Sequence, residues 1–515
     1  MAPPVHDAVI VGSGPNGLAA AVILARAGLH VLVLEDQPSP GGGCRTEERA
    51  LAGAPLAHDV CSAVHPMAAA SPFFTAFDLA ARGVRLLRPD IAYAHPLDQH
   101  PTGLAYTDLT RTLDYLREHA GIADTRAYRE LLEPLIDAFT TVTALCLSDM
   151  RSLPPTARSL TGLSTAAGLG LRILEQGTPA WNRRFIGEVT AAMLTGVGGH
   201  ASATLPSMGP AATMLLLASA AHTVGWPIPE GGSGAITAAL LADLIDHGGD
   251  IACYRGIFDR RLLPPARVYL FDTSPWMLEQ IYRVPLGARY RQQIYRFPPG
   301  NGVAKVDFVL SAPVPWQDPN IAAAGTVHCG GTRTEIAAAA ADIAAGRHPA
   351  RPLVLVAQPA MVDPSRRSAD GLDPLWTYTH VPNGSDQDVT ETITAQIERF
   401  APGFREIVLA ARCTPAAHLG DHDVNYRGGD IAAGALSMYR MLARPAPRWN
   451  PYATPIDNVY LCSASTPPGP SVHGMCGYHA ARRVLRTHFG IRTLPYLGPE
   501  PLRHGRPHPR LEPHS

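Results

Sequence analysis

Lysine is almost absent from this chain: of 43 basic residues in 515, only Lys305 is a lysine. Arginine-rich codon usage is a sufficient cause, and it makes the one lysine a position to follow. Net charge is nearly absent as well. The 43 basic and 44 acidic residues leave a formal net charge of -1, so no broad field draws nucleic acid or an acidic membrane, and no nucleic-acid partner is expected. Eight cysteines are scattered without a CxxC pair or metal-ligand spacing. That pattern speaks against a disulphide framework and a metal site, and reduced cytosolic thiols are the default. No basic region followed by an apolar core opens the sequence, which argues against a signal peptide. No stretch reaches the roughly 18 apolar residues of a membrane span. The nearest, Met208 to Trp226, is interrupted by Pro210, His222 and Gly225. It is expected as a buried helix lining a large cavity, with a monotopic membrane contact as the alternative. The expected location is cytoplasmic, peripheral membrane contact being left open.

What is present starts at once. An apolar run, Ala8 to Val11, meets Gly12-Ser13-Gly14-Pro15-Asn16-Gly17, an alanine-rich helical stretch follows, and a second apolar run, Val31 to Leu34, ends on Glu35. Strand, glycines, helix, strand and acid in this order form a dinucleotide fingerprint. Gly12 allows the tight turn, Gly14 lets backbone approach a pyrophosphate, and Gly17 lets helix and strand pack closely. The diphosphate then sits on the helix N-terminus, where Pro15 and Asn16 lie and where unpaired amides favour an anion. Glu35 receives the ribose hydroxyls and repels a 2′-phosphate. Just beyond lies Gly41-Gly42-Gly43-Cys44-Arg45-Thr46, a glycine loop ending in a cation, for which a second phosphate contact is the natural use.

The pairing of these loops resembles flavoproteins of the amine oxidase and phytoene desaturase superfamily, in which a Gly-Gly segment with a following Arg lies against the FAD pyrophosphate. The far end of the chain agrees. Asn458 to Leu461 leads through Cys462-Ser463-Ala464-Ser465-Thr466 to His473-Gly474-Met475-Cys476-Gly477, which is similar to that superfamily's closing motif. The resemblance implies FAD as cofactor, with Gly42, Gly43 and Arg45 at the pyrophosphate and Ala464, Gly474 and Met475 at the flavin end. A helix N-terminus there would stabilise negative charge on the reduced ring. Many relatives carry Gly-Asp or Gly-Glu where this chain has Ser463-Ala464-Ser465, so the usual carboxylate contact to the ribityl chain is missing. Within the superfamily the chain resembles the phytoene desaturase-like group, including the pyridine nucleotide-disulphide oxidoreductase domain-containing protein 2 type. Further stretches that suggest it are His58 to Pro66, Pro229 to Gly234, Ala304 to Asp307, Pro313 to Trp316 and Asn425 to Asp430.

The fold class expected is α/β and α+β: a Rossmann-like FAD-binding domain assembled from separated segments, with a mixed substrate domain from two insertions. The FAD domain takes residues 1–75, 229–275 and 458–493, and the substrate domain takes 76–228 and 276–457. The first insertion reads as mostly helical, for example Tyr128 to Leu147. The second mixes strands such as Val303 to Leu310 and Leu353 to Ala357 with helices such as Glu335 to Ala345 and Asp388 to Phe400. Gly231 to Gly234 is not a second dinucleotide loop, because Trp226-Pro227-Ile228-Pro229 makes a poor buried strand. Residues 494–515, rich in Pro, Arg and His without periodicity, read as a disordered tail.

Flavin oxidation of a C–H bond needs only a carbon held over N5, excluded water and a stabilised ring charge, so a missing catalytic triad says nothing. Lys305, in Val303-Ala304-Lys305-Val306-Asp307-Phe308, resembles the lysine that amine oxidases hold near flavin N5; the alternative is a surface lysine on an edge strand. His473 is either at the ring edge or a packing residue. His58, Asp59 and His65 either line the active site or are satisfied core groups. Asn425 to Asp430 is a substrate-side loop or a plain turn. The first function expected is an FAD-dependent dehydrogenase, desaturase or oxidase passing hydride from an apolar, isoprenoid-like or lipid-like substrate to flavin N5, with oxygen or a quinone as electron acceptor. The others are an amine oxidase-like enzyme and a non-catalytic carrier on the fold of Rab GDP-dissociation inhibitors.

Overall fold

The structure, a computed structural model, describes residues 6–51, 53–149 and 151–499. The short apolar runs that read as parallel strands meet in one five-stranded sheet. Its order is Val459–Leu461, Ala266–Phe271, His6–Val11, Val31–Leu34 and Asp250–Ala252, every neighbouring pair parallel. Residues from three distant parts of the chain therefore share one sheet. The register aligns Val11 with Leu34 and Phe271, and Phe271 with Leu461. Gly12, Glu35, Asp272 and Cys462 thus emerge side by side at the carboxyl edge, where open α/β sheets bind ligands.

The helix Pro15–Arg26 is buried from Asn16 to Ala25 because a second helix, Met475–His488, packs across it. Gly477 makes this approach feasible: a Cβ there would run into the Asn16 carbonyl oxygen. The helix Gly234–Asp246 covers the same core from its other side.

A second, seven-stranded sheet forms the other layer. Its order is Val408–Thr414, Gly302–Leu310, Asp373–Val381, Val354–Ala357, Ala324–Cys329, Ile91–His95 and Gly103–Tyr106. All neighbours are antiparallel except Ala324–Cys329 with Ile91–His95. Two of these strands come from the first insertion, which sequence periodicity reads as mostly helical. They are five and four residues long, and the first is buried throughout, so neither shows the alternation of a half-buried strand. The run Tyr128 to Leu147 is likewise two helices, Ile122–Asp137 and Phe139–Cys146, broken at Ala138 with φ -99° and ψ 19°.

Met208–Ala221 is a helix of uniformly apolar character, with Pro210 in its first turn, where the missing amide costs nothing. It packs among the helices of the first insertion, and Ala212, Thr213, Leu216 and Leu217 face a large cavity. Among the described residues no helix is long and apolar enough to cross a membrane. The expected tail is corrected in part. Arg26 donates to the carbonyls of Tyr496 and Gly498, Arg82 donates to that of Leu497, and Leu497 is buried. Residues 500–515 lie outside the described residues.

Candidate functional site

The glycines of the fingerprint are required by close approach. Gly12 has φ 96°, and a Cβ on it would lie 2.7 Å from the Asp272 carbonyl oxygen. A Cβ on Gly17 would strike the Gly12 carbonyl oxygen, so helix and strand meet as tightly as their spacing predicts. Glu35 accepts the Ser13 amide at 3.0 Å, the Ser13 hydroxyl, and the Gln37 amide at 2.9 Å. Ser13 Oγ in turn accepts the Gly41 amide at 3.1 Å. One serine therefore ties the first glycine loop, the acid and the second glycine loop together. A Cβ on Gly42 would lie 3.2 Å from the Gly14 Cα, so the two loops stack directly, and Gly43 is covered by the Tyr426 hydroxyl.

These loops open into a cavity of about 490 Å³. Gly12, Gly14, Pro15, Asn16, Glu35, Gly42 and Gly43 line it together with Ala464 and His473 and with Lys305, Trp376 and Tyr378. Three expected contacts are placed differently. Arg45 does not line the cavity: it is buried, and its Nη2 donates to the His422 carbonyl at 2.7 Å. Gly474 stands behind the wall against Phe73, with φ 68°. The Met475 amide is taken by His473 Nδ1 at 3.0 Å while its side chain enters the core. Both nitrogens of His473 are thereby engaged, Nε2 facing the Gly469 carbonyl at 3.1 Å. Burial pushes its pKa down to about 4, against the pull of that carbonyl. A neutral ring with both nitrogens in use caps the loop and is not free to act as a base.

Lys305 is on Gly302–Leu310, which has a neighbour on each side; it is not an edge residue. Its ammonium pairs with Asp307 two residues along on the same face, 6.0 Å from the Trp376 ring centre. Asp307 also accepts Arg49 Nη1 at 2.8 Å and lies 3.4 Å from His58 Nδ1. Burial lowers the lysine pKa, and Asp307 opposes that shift. The Asp307 carboxyl falls well below the usual range: burial raises it, but Lys305 and His58 outweigh burial. The only lysine is thus a buried cation held at the cavity wall by an ionised partner.

Other sequence candidates are structural. Asp59 accepts the Thr46 hydroxyl at 2.7 Å, the Ser233 amide at 2.8 Å and the Arg366 guanidinium at 3.1 Å. His65 Nε2 meets Ser233 Oγ at 2.7 Å. These bonds lock the Pro229–Gly234 turn onto the hairpin 46–59. Asn425 and Tyr426 belong to the site: Asn425 Oδ1 accepts the Ser274 amide at 2.6 Å, and both residues line the cavity. Sequence reasoning missed Ser13, Asp307, Asp272 and Asp423. Asp272 ends an apolar run as Glu35 does, which was the available signal; Asp423 carries none.

A family model described as an NAD(P)-binding Rossmann-like domain matches residues 10–78. The chain is 25% identical over 556 aligned positions, covering 94% of each sequence, to pyridine nucleotide-disulfide oxidoreductase domain-containing protein 2 of Rattus norvegicus. Its fold is similar to that of a putrescine oxidase variant, with TM-score 0.59, 17% identity and coverage of 93% and 98% of the two chains. Cyclohexylamine oxidase from Brevibacterium oxydans gives TM-score 0.55, 15% identity and the same coverage. The matched segment and the parallel sheet give this chain a Rossmann-like dinucleotide-binding fold, and its similarity to the rat oxidoreductase-domain protein runs along nearly the whole length.

Proposed function

We propose that the cavity holds FAD and that the enzyme oxidises a C–H bond of an apolar small molecule, hydride passing to flavin N5 and electrons leaving to oxygen or a quinone. The observation that carries this reading is the continuity of the cavity from the glycine loops to the lysine strand. The residues fit the group: Gly14 and Gly42 bring two closely stacked glycine loops to the cavity wall at the helix N-terminus, and Glu35 stands at the end of the second strand for the ribose. Bound FAD supplies a two-electron acceptor. The chain supplies the rest. Leu216, Trp226 and Leu355 give the same cavity apolar wall, which excludes water and orients a greasy substrate. Lys305 holds a fixed positive charge and a proton at the same wall, Asp307 keeping it in place.

An amine substrate is the second reading. Trp376 and Tyr378 meet at 78° with ring centres 5.1 Å apart, beside Lys305 in the cavity wall. Such an aromatic pair suits an amine carbon chain, and putrescine oxidase and cyclohexylamine oxidase share the fold. Anaerobic mixing of the FAD-loaded protein with amines, polyenes, fatty acyl compounds and alcohols separates the readings. Bleaching of flavin absorbance by polyenes or acyl compounds supports the first and bleaching by amines alone the second; no bleaching by any class contradicts both.

A further inference from the structure

The wall that would receive the diphosphate is acidic. Asp272, at the end of strand Ala266–Phe271, accepts the Gly17 amide on Oδ2 at 2.8 Å, in the first turn of the helix that serves as the anion site. The same oxygen lies 2.6 Å from where a Cβ on Gly14 would stand. Asp423, from the segment just before Asn425, approaches the second glycine loop. Its Oδ1 accepts the Asn425 backbone amide at 3.0 Å and side-chain amide at 2.7 Å, and its Oδ2 is 3.5 Å from a Cβ built on Gly42. Both residues line the cavity. Among the described residues neither makes an ion pair, and Asp272 Oδ1 and Asp423 Oδ2 have no hydrogen-bond partner.

The groups facing them offer little counter-charge. Asp272 faces Asp423, Glu35 and the thiols of Cys462 and Cys476. Asp423 faces Glu35, Cys61 and Tyr426, with Arg45 as the cation, and that guanidinium is turned to the His422 carbonyl. Ionised carboxylates are acceptors only and have nothing to offer a phosphate oxygen; a protonated carboxyl is a donor.

We propose that Asp272 and Asp423 are cofactor-binding residues that act as neutral carboxylic acids, their O–H groups donating toward the diphosphate, so that FAD binds tightly when they are protonated and weakly when they ionise. This rests on FAD as the cofactor. Burial pushes the Asp272 carboxyl up to about 8 against the Gly17 amide, Asp423 and Glu35 adding to the rise. Burial also raises Asp423, against its bonds from Asn425. A carboxylic acid kept neutral by its surroundings so that it can donate is established active-site chemistry.

The test is FAD affinity of the full chain, read from flavin fluorescence between about pH 6 and pH 9.5. The wild-type Kd is expected to stay flat below about pH 7 and to rise by about tenfold per pH unit once the Asp272 carboxyl ionises. Asp272→Asn, which keeps an acceptor for Gly17 and cannot ionise, should flatten that rise and bind at least about tenfold more tightly than wild type at the top of the range. Asp423→Asn should flatten it partly and keeps the test open if Asp272→Asn fails to fold, which circular dichroism reveals. A wild-type Kd independent of pH, or Asp-to-Asn variants that fold and keep the wild-type slope, overturns the proposal while leaving FAD as the cofactor. Absence of FAD binding at every pH overturns both.

Discussion

Lys305 is the residue on which chemistry and packing meet. Its charge is buried, and Asp307, Arg49 and His58 form the frame behind it. Lys305→Met leaves Asp307 paired with Arg49, so the protein should fold and bind FAD. Its reduced flavin should react with oxygen at least about tenfold more slowly in stopped flow, a rise of about 1.4 kcal/mol or more in the barrier; an unchanged rate removes the lysine from the oxidative step. Asp307→Ala is the harsher change, because it strands the buried Lys305 ammonium and leaves Arg49 with Glu47 alone. It should cost about 3–5 kcal/mol of stability in urea unfolding. His473→Ala, by contrast, should loosen the loop Gly469–Gly474 without altering the shape of the pH–rate profile, since the native ring uses both nitrogens within that loop. Single residues were unevenly legible. The glycines and Glu35 announce themselves because only one backbone geometry uses that spacing. Arg45 and Met475 were placed by resemblance alone, and in the structure a carbonyl and an imidazole take the groups they were expected to offer.

At the scale of elements, the two helices that cross behind the glycine loop set how rigidly the anion site is held. Asn16 Oδ1 accepts the Cys476 amide at 3.2 Å, and Gly477 lets the backbones touch. Gly477→Ala should therefore destabilise the protein by about 1–3 kcal/mol or more through overpacking and weaken FAD binding along with it. A melting temperature equal to wild type would show that the helices have slack. Long periodic helices and the parallel strands could be read from the sequence. The strands Ile91–His95 and Gly103–Tyr106 pair with each other but could not be read, because what joins them to the sheet is Ala324–Cys329, paired with Ile91–His95 more than two hundred residues away, and local pattern carries no trace of it. The aromatic wall at Trp376 and Tyr378 was hidden for the same reason: it exists only where Asp373–Val381 pairs with the lysine strand.

The whole molecule stores an unusual number of neutral histidines. Burial pushes His65, His95, His222, His380 and His479 down to about 4, and His200 to about 3. Each folded-state value lies below the unfolded one near 6.5, so protons bind the unfolded chain preferentially. Stability should be intact above about pH 6.5 and fall as the pH drops toward 4. Asp272, raised to about 8, works in the opposite direction but is outnumbered. The urea midpoint measured from pH 8 to 4 should decline steadily below 6.5; a flat midpoint would mean that the histidines are solvated. The same buried interior gives the molecule its central property, one cavity reaching from a sheet edge built of three chain segments to the wall of a second sheet. Titrating the purified chain with FAD at neutral pH tests that property most directly. Saturable binding of one FAD per chain is expected, with an oxidised-flavin absorbance band that a Gly14→Val substitution abolishes. A colourless protein that takes up no FAD, or one whose binding is indifferent to Gly14→Val, would contradict it.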